Sequence, residues 1–215
     1  MTRPDTIRVM LVDDHAVVRA GYRLLLSHQP DIEVVCEAET GEEACEKFLT
    51  HRPGVVVMDL NLPGIGGLAA IRRIVGRDAE ARILVFSIHD EPVYVSRALE
   101  AGALGYISKS CEPDMLVEAV RQIAAGKPFL EPAIETKLAH QPQPAGACPT
   151  ECLTPREFDV LCLLARGYST REIAHELRLS AKTVANYITL IKEKLQAGTT
   201  AELVRLAYQS RLLPD

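Results

Sequence analysis

The sequence predicts a two-part protein, in which a doubly wound α/β domain with five parallel strands precedes a small all-α domain of four helices. Three observations support this prediction. Short apolar segments alternate with amphipathic helical segments from residue 7 to about residue 126. A segment rich in proline, glycine and alanine interrupts the alternation at residues 140–151, and the spacing beyond it is helical only. We therefore expect domains at residues 1–127 and 152–215, joined by a linker at residues 128–151.

Each of the first five units begins with a short apolar run. In chain order these runs read IRVMLV, IEVVCEA, VVVMD, RILVFSI and LGYIS, and a segment with helical spacing follows each one. Strict alternation of this kind is typical of parallel strands whose connecting helices cover both faces of the sheet. The runs are apolar nearly throughout, as strands buried on both faces must be.

The C-terminal part carries explicit signals for the starts of helices. Three residues stand at N-cap positions with a glutamate three residues later, which is the spacing of a capping box: Thr154, Ser169 and Thr199. Ser180 is a fourth N-cap candidate, without the glutamate. Only about four residues, LRLS, separate the second helix from the third. This short connection predicts a helix-turn-helix arrangement within a small bundle.

The composition is that of an ordinary globular protein, with 47% hydrophobic and 25% charged residues. No apolar run approaches the roughly 18 residues that a membrane helix needs, and the N-terminus lacks the layout of a signal peptide. We therefore expect a cytoplasmic protein without a membrane partner. Residues 1–137 hold 15 Lys/Arg against 21 Asp/Glu, and residues 151–215 hold 9 against 8. This mild asymmetry does not by itself indicate binding to nucleic acid.

The six cysteines are scattered, and Cys148 and Cys152 lie close together near the end of the predicted linker. No paired histidines or second cysteine pair accompany them, so a metal or redox site is the weaker interpretation. Reduced thiols are the expected state in a cytoplasmic protein.

Polar residues stand at the carboxyl ends of four predicted strands. Asp13 and Asp14 follow the first strand, Asp59 ends the third, Ser87 ends the fourth, and Lys109 follows the fifth. Ligands of an open parallel sheet bind at this edge, so we expect these side chains to converge. Clustered carboxylates favour Mg²⁺, while a lysine and a hydroxyl suit a phosphoryl group. Each acid alone is more simply explained as a loop residue or helix cap, but the whole set predicts phosphoryl transfer.

The motifs LVDDH, VVVMDLNLPGIGG, ILVFS and GALGYISKS resemble the flavodoxin-like receiver domain of two-component response regulators, over about residues 7–126. The resemblance implies that Asp59 accepts a phosphoryl group from a phosphohistidine on a sensor histidine kinase. It further implies that Asp14 binds Mg²⁺ directly, that Asp13 acts mostly through water, and that Asn61 contributes its backbone carbonyl.

The same resemblance implies that Ser87 and Tyr106 form a switch pair and that Lys109 contacts the phosphoryl group. Tyr106 would turn inward when Ser87 moves toward the new charge; the alternative for Tyr106 is a plain core aromatic residue. Many receivers have Lys-Pro where this chain has Lys109 and Ser110. A cis bond at this position is therefore less expected, because a non-proline cis bond costs roughly 3 kcal/mol.

The third helix of the C-terminal part, residues 181–196, has two distinct faces. Its apolar stripe predicts the side that faces the bundle: Val184, Ile188, Ile191 and Leu195. On the other side, Asn186 suits a bidentate contact with adenine and Ala185 suits a thymine methyl. The remaining candidates are better placed for phosphates or the groove: Lys182, Thr183, Tyr187, Thr189 and Lys192. A solvated helix face is the alternative for Thr189.

The segment from about residue 152 to residue 208, with LTPRE, EIA, LSAKTV and KL, resembles the LuxR-type helix-turn-helix of the NarL/FixJ regulators. The resemblance implies a homodimer on an inverted repeat in promoter DNA, with RNA polymerase as a further candidate partner. Ala185 stands where relatives often have lysine, and Glu193 is acidic, so strong nonspecific DNA affinity is not expected. The apolar residues of the last helix form either a dimer surface or part of the core, and both interpretations stay open for Leu203, Leu206 and Ala207.

The sequence therefore predicts a transcription regulator controlled by phosphorylation, with no enzymatic activity beyond phosphoryl acceptance and self-dephosphorylation. Docking of the unphosphorylated receiver on the DNA-binding domain is a hypothesis. An aspartate-nucleophile phosphatase is one alternative, although such enzymes usually have a second acid where this chain has Asn61. A module that binds protein without phosphorylation is the other alternative, and the complete acidic set disfavours it.

Overall fold

The computed structural model describes residues 6–139 and 152–209. The chain separates into two compact units between residues 140 and 141. The stretch at residues 140–151, which the sequence predicts as linker and which contains Cys148, lies outside the described residues. Within the described ranges, none of the helices has the length and apolar character that crossing a bilayer requires.

The first unit is built on a parallel sheet. Its strands are β1 (Ile7–Val12), β2 (Ile32–Ala38), β3 (Val55–Met58), β4 (Ile83–Ser87), β5 (Gly105–Ser108) and β6 (Phe129–Leu130). All neighbouring pairs are parallel, in the order β2-β1-β3-β4-β5-β6. The order changes direction beside β1, so a switch point lies between β1 and β3. The predicted doubly wound α/β fold is confirmed.

Helices α1 to α5 connect successive strands of this sheet, and α6 follows the last strand. They are α1 (Ala16–Ser27), α2 (Gly41–His51), α3 (Gly67–Val75), α4 (Pro92–Glu100), α5 (Pro113–Ala124) and α6 (Pro132–Ala139). Alternate strand residues such as Val9, Val57 and Phe86 form one core cluster with α1 and α5. Their neighbours along the strands, such as Met10 and Met58, are also fully buried. Burial on both faces explains why the strand sequences are continuously apolar.

The sheet has a sixth strand, so the prediction of five strands and of a linker beginning at residue 128 is wrong for residues 129–139. Phe129 pairs with Gly105, and Leu130 pairs with Tyr106. α6 follows at once, with Ile134 1% exposed. A strand of two residues between prolines is too short to produce a periodic pattern, and only its pairing with β5 defines it.

The second unit is helical, as predicted. It contains α7 (Pro155–Ala165), α8 (Thr170–Glu176), α9 (Ala181–Leu195) and α10 (Thr200–Gln209). Both reciprocal hydrogen bonds of a capping box form between Thr154 and Glu157, and both form between Ser169 and Glu172, as predicted. The short turn between α8 and α9 gives the predicted helix-turn-helix.

Candidate functional site

The carboxyl ends of β1, β3 and β5 bring three charged side chains into direct contact. Lys109 Nζ lies 2.6 Å from Asp13 Oδ2 and 2.7 Å from Asp59 Oδ2. The Asp59 side chain is 2% exposed, and its Oδ1 accepts a hydrogen bond from the Asn61 backbone N–H at 3.2 Å. The ammonium group therefore neutralises two carboxylates that otherwise repel each other.

Asp14 and His15 complete the acidic cluster. Oxygen or nitrogen atoms of Asp13, Asp14, His15 and Asp59 all lie within 4.8 Å of one another. His15 donates its backbone N–H to Asp13 Oδ1 at 2.8 Å, and its Nδ1 lies 2.8 Å from Asp14 Oδ1. The arrangement concentrates carboxylate oxygens at one edge of the sheet, which is the donor set that a hard divalent cation prefers.

Burial determines the electrostatics of the central pair. Desolvation raises the pKa of Asp59, and the nearby Lys109 opposes this shift only in part. Burial disfavours the charged form of Lys109, but Asp59 and Asp13 outweigh it and raise the pKa of the ammonium. The lysine is therefore held protonated, while burial makes the Asp59 carboxylate harder to ionise and the neighbouring ammonium favours its charged form.

The loop after β3 holds Asp59 in place by a close backbone approach. The Gly67 backbone N–H donates to the Leu60 carbonyl at 3.0 Å. A Cβ on Gly67 would collide with the Asp59 carbonyl oxygen, so only glycine fits at this position. Gly66, with φ of 76°, makes the turn that brings the chain back.

Ser87 and Tyr106 lie on neighbouring strands beside this cluster. Ser87 is fully buried, and its carbonyl accepts from the Lys109 backbone N–H at 2.8 Å. Tyr106 is also fully buried, and its hydroxyl donates to the His89 carbonyl at 2.6 Å. Burial raises the pKa of Tyr106, which keeps the phenol protonated as a donor. The ring is thus already turned inward in this structure.

Arg19 is a residue at the site that the sequence did not single out. It is 8% exposed, and its Nη1 donates to the Asp13 carbonyl at 2.6 Å. Its Nε and Nη2 donate to Glu37 and Glu39 at 2.8 and 2.6 Å. The guanidinium therefore ties the end of β1 to the end of β2 and to the residue that follows it. An arginine among the apolar positions of α1 was the available signal, but long side chains are usually assumed to reach solvent.

The backbone around Lys109 has ordinary geometry. None of the peptide bonds within residues 6–139 and 152–209 is cis, so the bond between Lys109 and Ser110 is trans. Ser110 donates its backbone N–H to Ser108 Oγ at 3.2 Å, and the two hydroxyl oxygens are 2.7 Å apart.

In the second unit, the two faces of α9 divide as the sequence predicts. Val184 and Ile191 are fully buried, and Ile188 and Leu195 are partly buried. The candidate DNA-contacting residues lie on the other side: Lys182, Ala185, Asn186 and Thr189 are exposed, and Thr183, Tyr187 and Lys192 are partly exposed. Thr189 donates its hydroxyl to the Ala185 carbonyl at 3.1 Å, so that hydroxyl is partly engaged within the helix.

The C-terminal helix contributes to the core of its own unit. Leu203 and Ala207 are fully buried against the described residues, while Leu206 is partly buried and Tyr208 is 50% exposed. Of the two interpretations of this apolar stripe, the structure supports core for Leu203 and Ala207. An ion pair also joins α7 to α9 within this unit, with Lys194 Nζ 2.7 Å from Glu157 Oε2.

Two family models match separate parts of the chain. The model of the response regulator receiver domain matches residues 9–121. The model of the luxR family of bacterial regulatory proteins matches residues 151–207. The chain belongs to the NarL/FixJ family of response regulators. This response regulator is a two-component regulator of transcription, with a receiver domain and a LuxR-type DNA-binding domain.

Relatives align with this response regulator over nearly the whole chain. The transcriptional activator protein ExaE of Pseudomonas putida is 45% identical over 95% of this chain and 97% of its own length. The oxygen regulatory protein NreC of Staphylococcus carnosus (strain TM300) is 37% identical over 96% of this chain and 99% of its own length. Both therefore share the two-domain organisation from end to end.

Solved structures extend the comparison to complexes with DNA. RcsB from Salmonella enterica serovar Typhimurium, bound to the promoter rprA in the presence of the phosphomimetic BeF3⁻, is 25% identical with a TM-score of 0.60. A structure of two RcsB dimers bound to two parallel DNAs is 26% identical with a TM-score of 0.61. Each match covers 94% of this response regulator and 98% of the RcsB chain.

Proposed function

We propose that this response regulator accepts a phosphoryl group on Asp59 from a phosphohistidine of a sensor histidine kinase. The observation that carries the proposal is the contact of Lys109 Nζ with both Asp13 and Asp59, at 2.6 and 2.7 Å. Among these acids, Asp59 directly follows the central strand β3, and its side chain accepts a hydrogen bond from the Asn61 backbone N–H. An acid so placed can receive a phosphoryl group whose charge the neighbouring lysine then shares.

The carboxylate cluster fits Mg²⁺. Its proposed ligands are the carboxylates of Asp13, Asp14 and Asp59 and the backbone carbonyl of Asn61, and the carboxylate oxygens lie within 4.8 Å of one another. When bound, the ion supplies charge neutralisation for the incoming phosphoryl oxygens. Arg19 holds the Asp13 backbone and thereby fixes the position of the first carboxylate.

The neighbouring residues of the chain have distinct roles in this proposal. Lys109 stays protonated and contacts a phosphoryl oxygen, and the Ser87 hydroxyl donates to another. Tyr106 remains inward, where its hydroxyl holds the loop after β4 through the His89 carbonyl. Phosphorylation then stabilises an arrangement that the side chain already adopts.

For the output, we propose that the LuxR-type domain binds promoter DNA as a homodimer through the exposed side of α9. RcsB dimers on DNA support this proposal by similarity. In this proposal Asn186 and Ala185 contact base edges, and Thr189 lies at the groove. The phosphate backbone of the DNA is contacted by Lys182, Thr183, Tyr187 and Lys192.

We further propose that residues 140–151 are the linker and that the protein acts in the cytoplasm.

The decisive experiment compares the wild type with Asp59→Ala and with Asp114→Ala, a matched exposed acid on α5. Each is treated with a small phosphodonor and Mg²⁺, and oligomeric state and selection of DNA from a random pool are measured. We expect the wild type and Asp114→Ala to gain a dimer and selective DNA binding, and Asp59→Ala to gain neither. A response that survives in Asp59→Ala would contradict the proposal.

A further inference from the structure

The segment after α5 contacts β5, the strand that directly precedes Lys109. β6 pairs in parallel with β5, and the Glu131 backbone N–H donates to the Tyr106 carbonyl at 3.1 Å. This segment lies beyond residue 121, where the match to the receiver-domain model ends. It is therefore an addition to the matched region that reaches back to the functional edge of the sheet.

The side chain of Glu131 makes the most specific of these contacts. Its Oε2 accepts a hydrogen bond from the Ser108 backbone N–H at 2.7 Å. Ser108 directly precedes Lys109, whose own backbone N–H donates to the Ser87 carbonyl at 2.8 Å. The main chain at Lys109 is thus held from β4 on one side and from Glu131 on the other.

α6 also reaches the second loop of the site. Lys137 Nζ on this helix forms an ion pair with Asp90, three residues after Ser87. The adjacent His89 carbonyl accepts the Tyr106 hydroxyl at 2.6 Å. The segment from β6 to α6 therefore contacts both loops beside the carboxylates, through Glu131 and through Lys137.

We propose that Glu131 is a positioning residue for Lys109 and that α6, which begins at the next residue, is energetically coupled to phosphorylation of Asp59. The inference rests on the proposed function. Lys109 Nζ bridges two carboxylates at 2.6 and 2.7 Å, so a small displacement of its backbone disturbs both contacts. Coupling of this kind is reciprocal. If phosphorylation shifts the Ser108 backbone, the stability of α6 changes, and a change in the stability of α6 alters phosphorylation of Asp59 by the same free energy.

The first experiment measures the rate of Asp59 phosphorylation by acetyl phosphate with Mg²⁺ in the full chain. Glu131→Ala removes the acceptor, Glu131→Gln keeps an acceptor oxygen, and Glu135→Ala is a matched control on the exposed side of α6. We expect Glu131→Ala to be slower by roughly tenfold, which is the scale of one lost hydrogen bond to a charged acceptor. Glu131→Gln should recover most of the rate, and Glu135→Ala should match the wild type.

The second experiment tests the coupling in the wild type, so it does not depend on the folding of a variant. Amide hydrogen exchange of residues 105–110 and 132–139 is followed with and without beryllium fluoride and Mg²⁺. We expect exchange in both segments to change in the wild type. The change in α6 should be lost when Glu131→Ala, which removes the acceptor, is combined with Lys137→Met.

The outcomes separate this inference from the proposed function. If the wild type is not phosphorylated, the proposed function fails. If it is phosphorylated but Glu131→Ala reacts like Glu135→Ala, or Glu131→Gln is as slow as Glu131→Ala, the positioning role is overturned. If beryllium fluoride leaves exchange in α6 unchanged in the wild type, the coupling is overturned.

Discussion

The two functional regions of this response regulator differ in how far the chain itself arranges their charges. At the receiver edge, Asp13 and Asp59 are buried and the partly buried Lys109 contacts both, while Arg19 and Gly67 fix the backbone around them. On α9, Lys182 and Asn186 are exposed to solvent. The first region is organised before any reaction occurs, whereas the proposed contacts of the second region form only when DNA binds.

The largest expected effect tests the organised site. Lys109→Met removes the charge between Asp13 and Asp59 and should slow phosphorylation of Asp59 by roughly 100-fold, the scale of losing one preorganised charge-stabilising group. The rate with a small phosphodonor and Mg²⁺ is the measurement. Lys127→Met, an exposed lysine after α5, serves as the control. A rate near that of the control would show that the contact seen here does not assist the reaction.

The exposed region should respond differently, because its residues are proposed to act through direct contacts with DNA. Asn186→Ala should cost about 1–3 kcal/mol in binding to the preferred DNA site and relax the preference for one base. Lys182→Ala should instead weaken binding to all sequences. It should also reduce the steepness of the plot of log binding constant against log salt concentration by about one, the value for one phosphate contact. Binding titrations at several salt concentrations distinguish the two variants. Equal effects on specific and random DNA for Asn186→Ala would remove its assignment to base readout.

The smallest effect concerns the charge pair within the DNA-binding domain. Burial tends to raise the pKa of Glu157, but the hydrogen bonds from Lys194 and Thr154 outweigh it and lower the pKa. A lowered carboxyl pKa stabilises the fold above the ordinary glutamate pKa of about 4.3, and this stability is lost as the pH falls through the folded-state value. Glu157→Gln should therefore cost about 1 kcal/mol near pH 7 and progressively less in acid.

Denaturant unfolding at several pH values measures this difference. Glu172→Gln is a matched control, because Glu172 has the same capping-box role at Ser169. A loss from Glu157→Gln that persists unchanged in acid would contradict an electrostatic origin.

The contrast also explains which features the sequence could predict. The strands and the carboxylate cluster follow from apolar runs that end in acids, since parallel strands present their carboxyl ends at one edge. The two faces of α9 follow from helical periodicity, which Val184 and Ile191 satisfy by complete burial.

The features that were missed depend on contacts between distant residues. β6 has only two residues, and its existence depends on pairing with β5. Arg19 looks like a surface residue until Glu37 and Glu39 are brought beside it. Glu131 lies 23 positions from Ser108, and no local pattern joins them. Long-range pairing of this kind leaves no periodic signal in the chain.

β6 has a consequence for how the receiver domain is isolated. An unpaired strand edge is a template for association with other chains, and short edge strands with nearby charge and proline limit that hazard. β6 covers the outer edge of β5 and is followed by Glu131 and Pro132. A fragment that stops at residue 127 exposes the hydrogen-bonding groups of β5 and invites aggregation, whereas one extended through α6 keeps this edge protected.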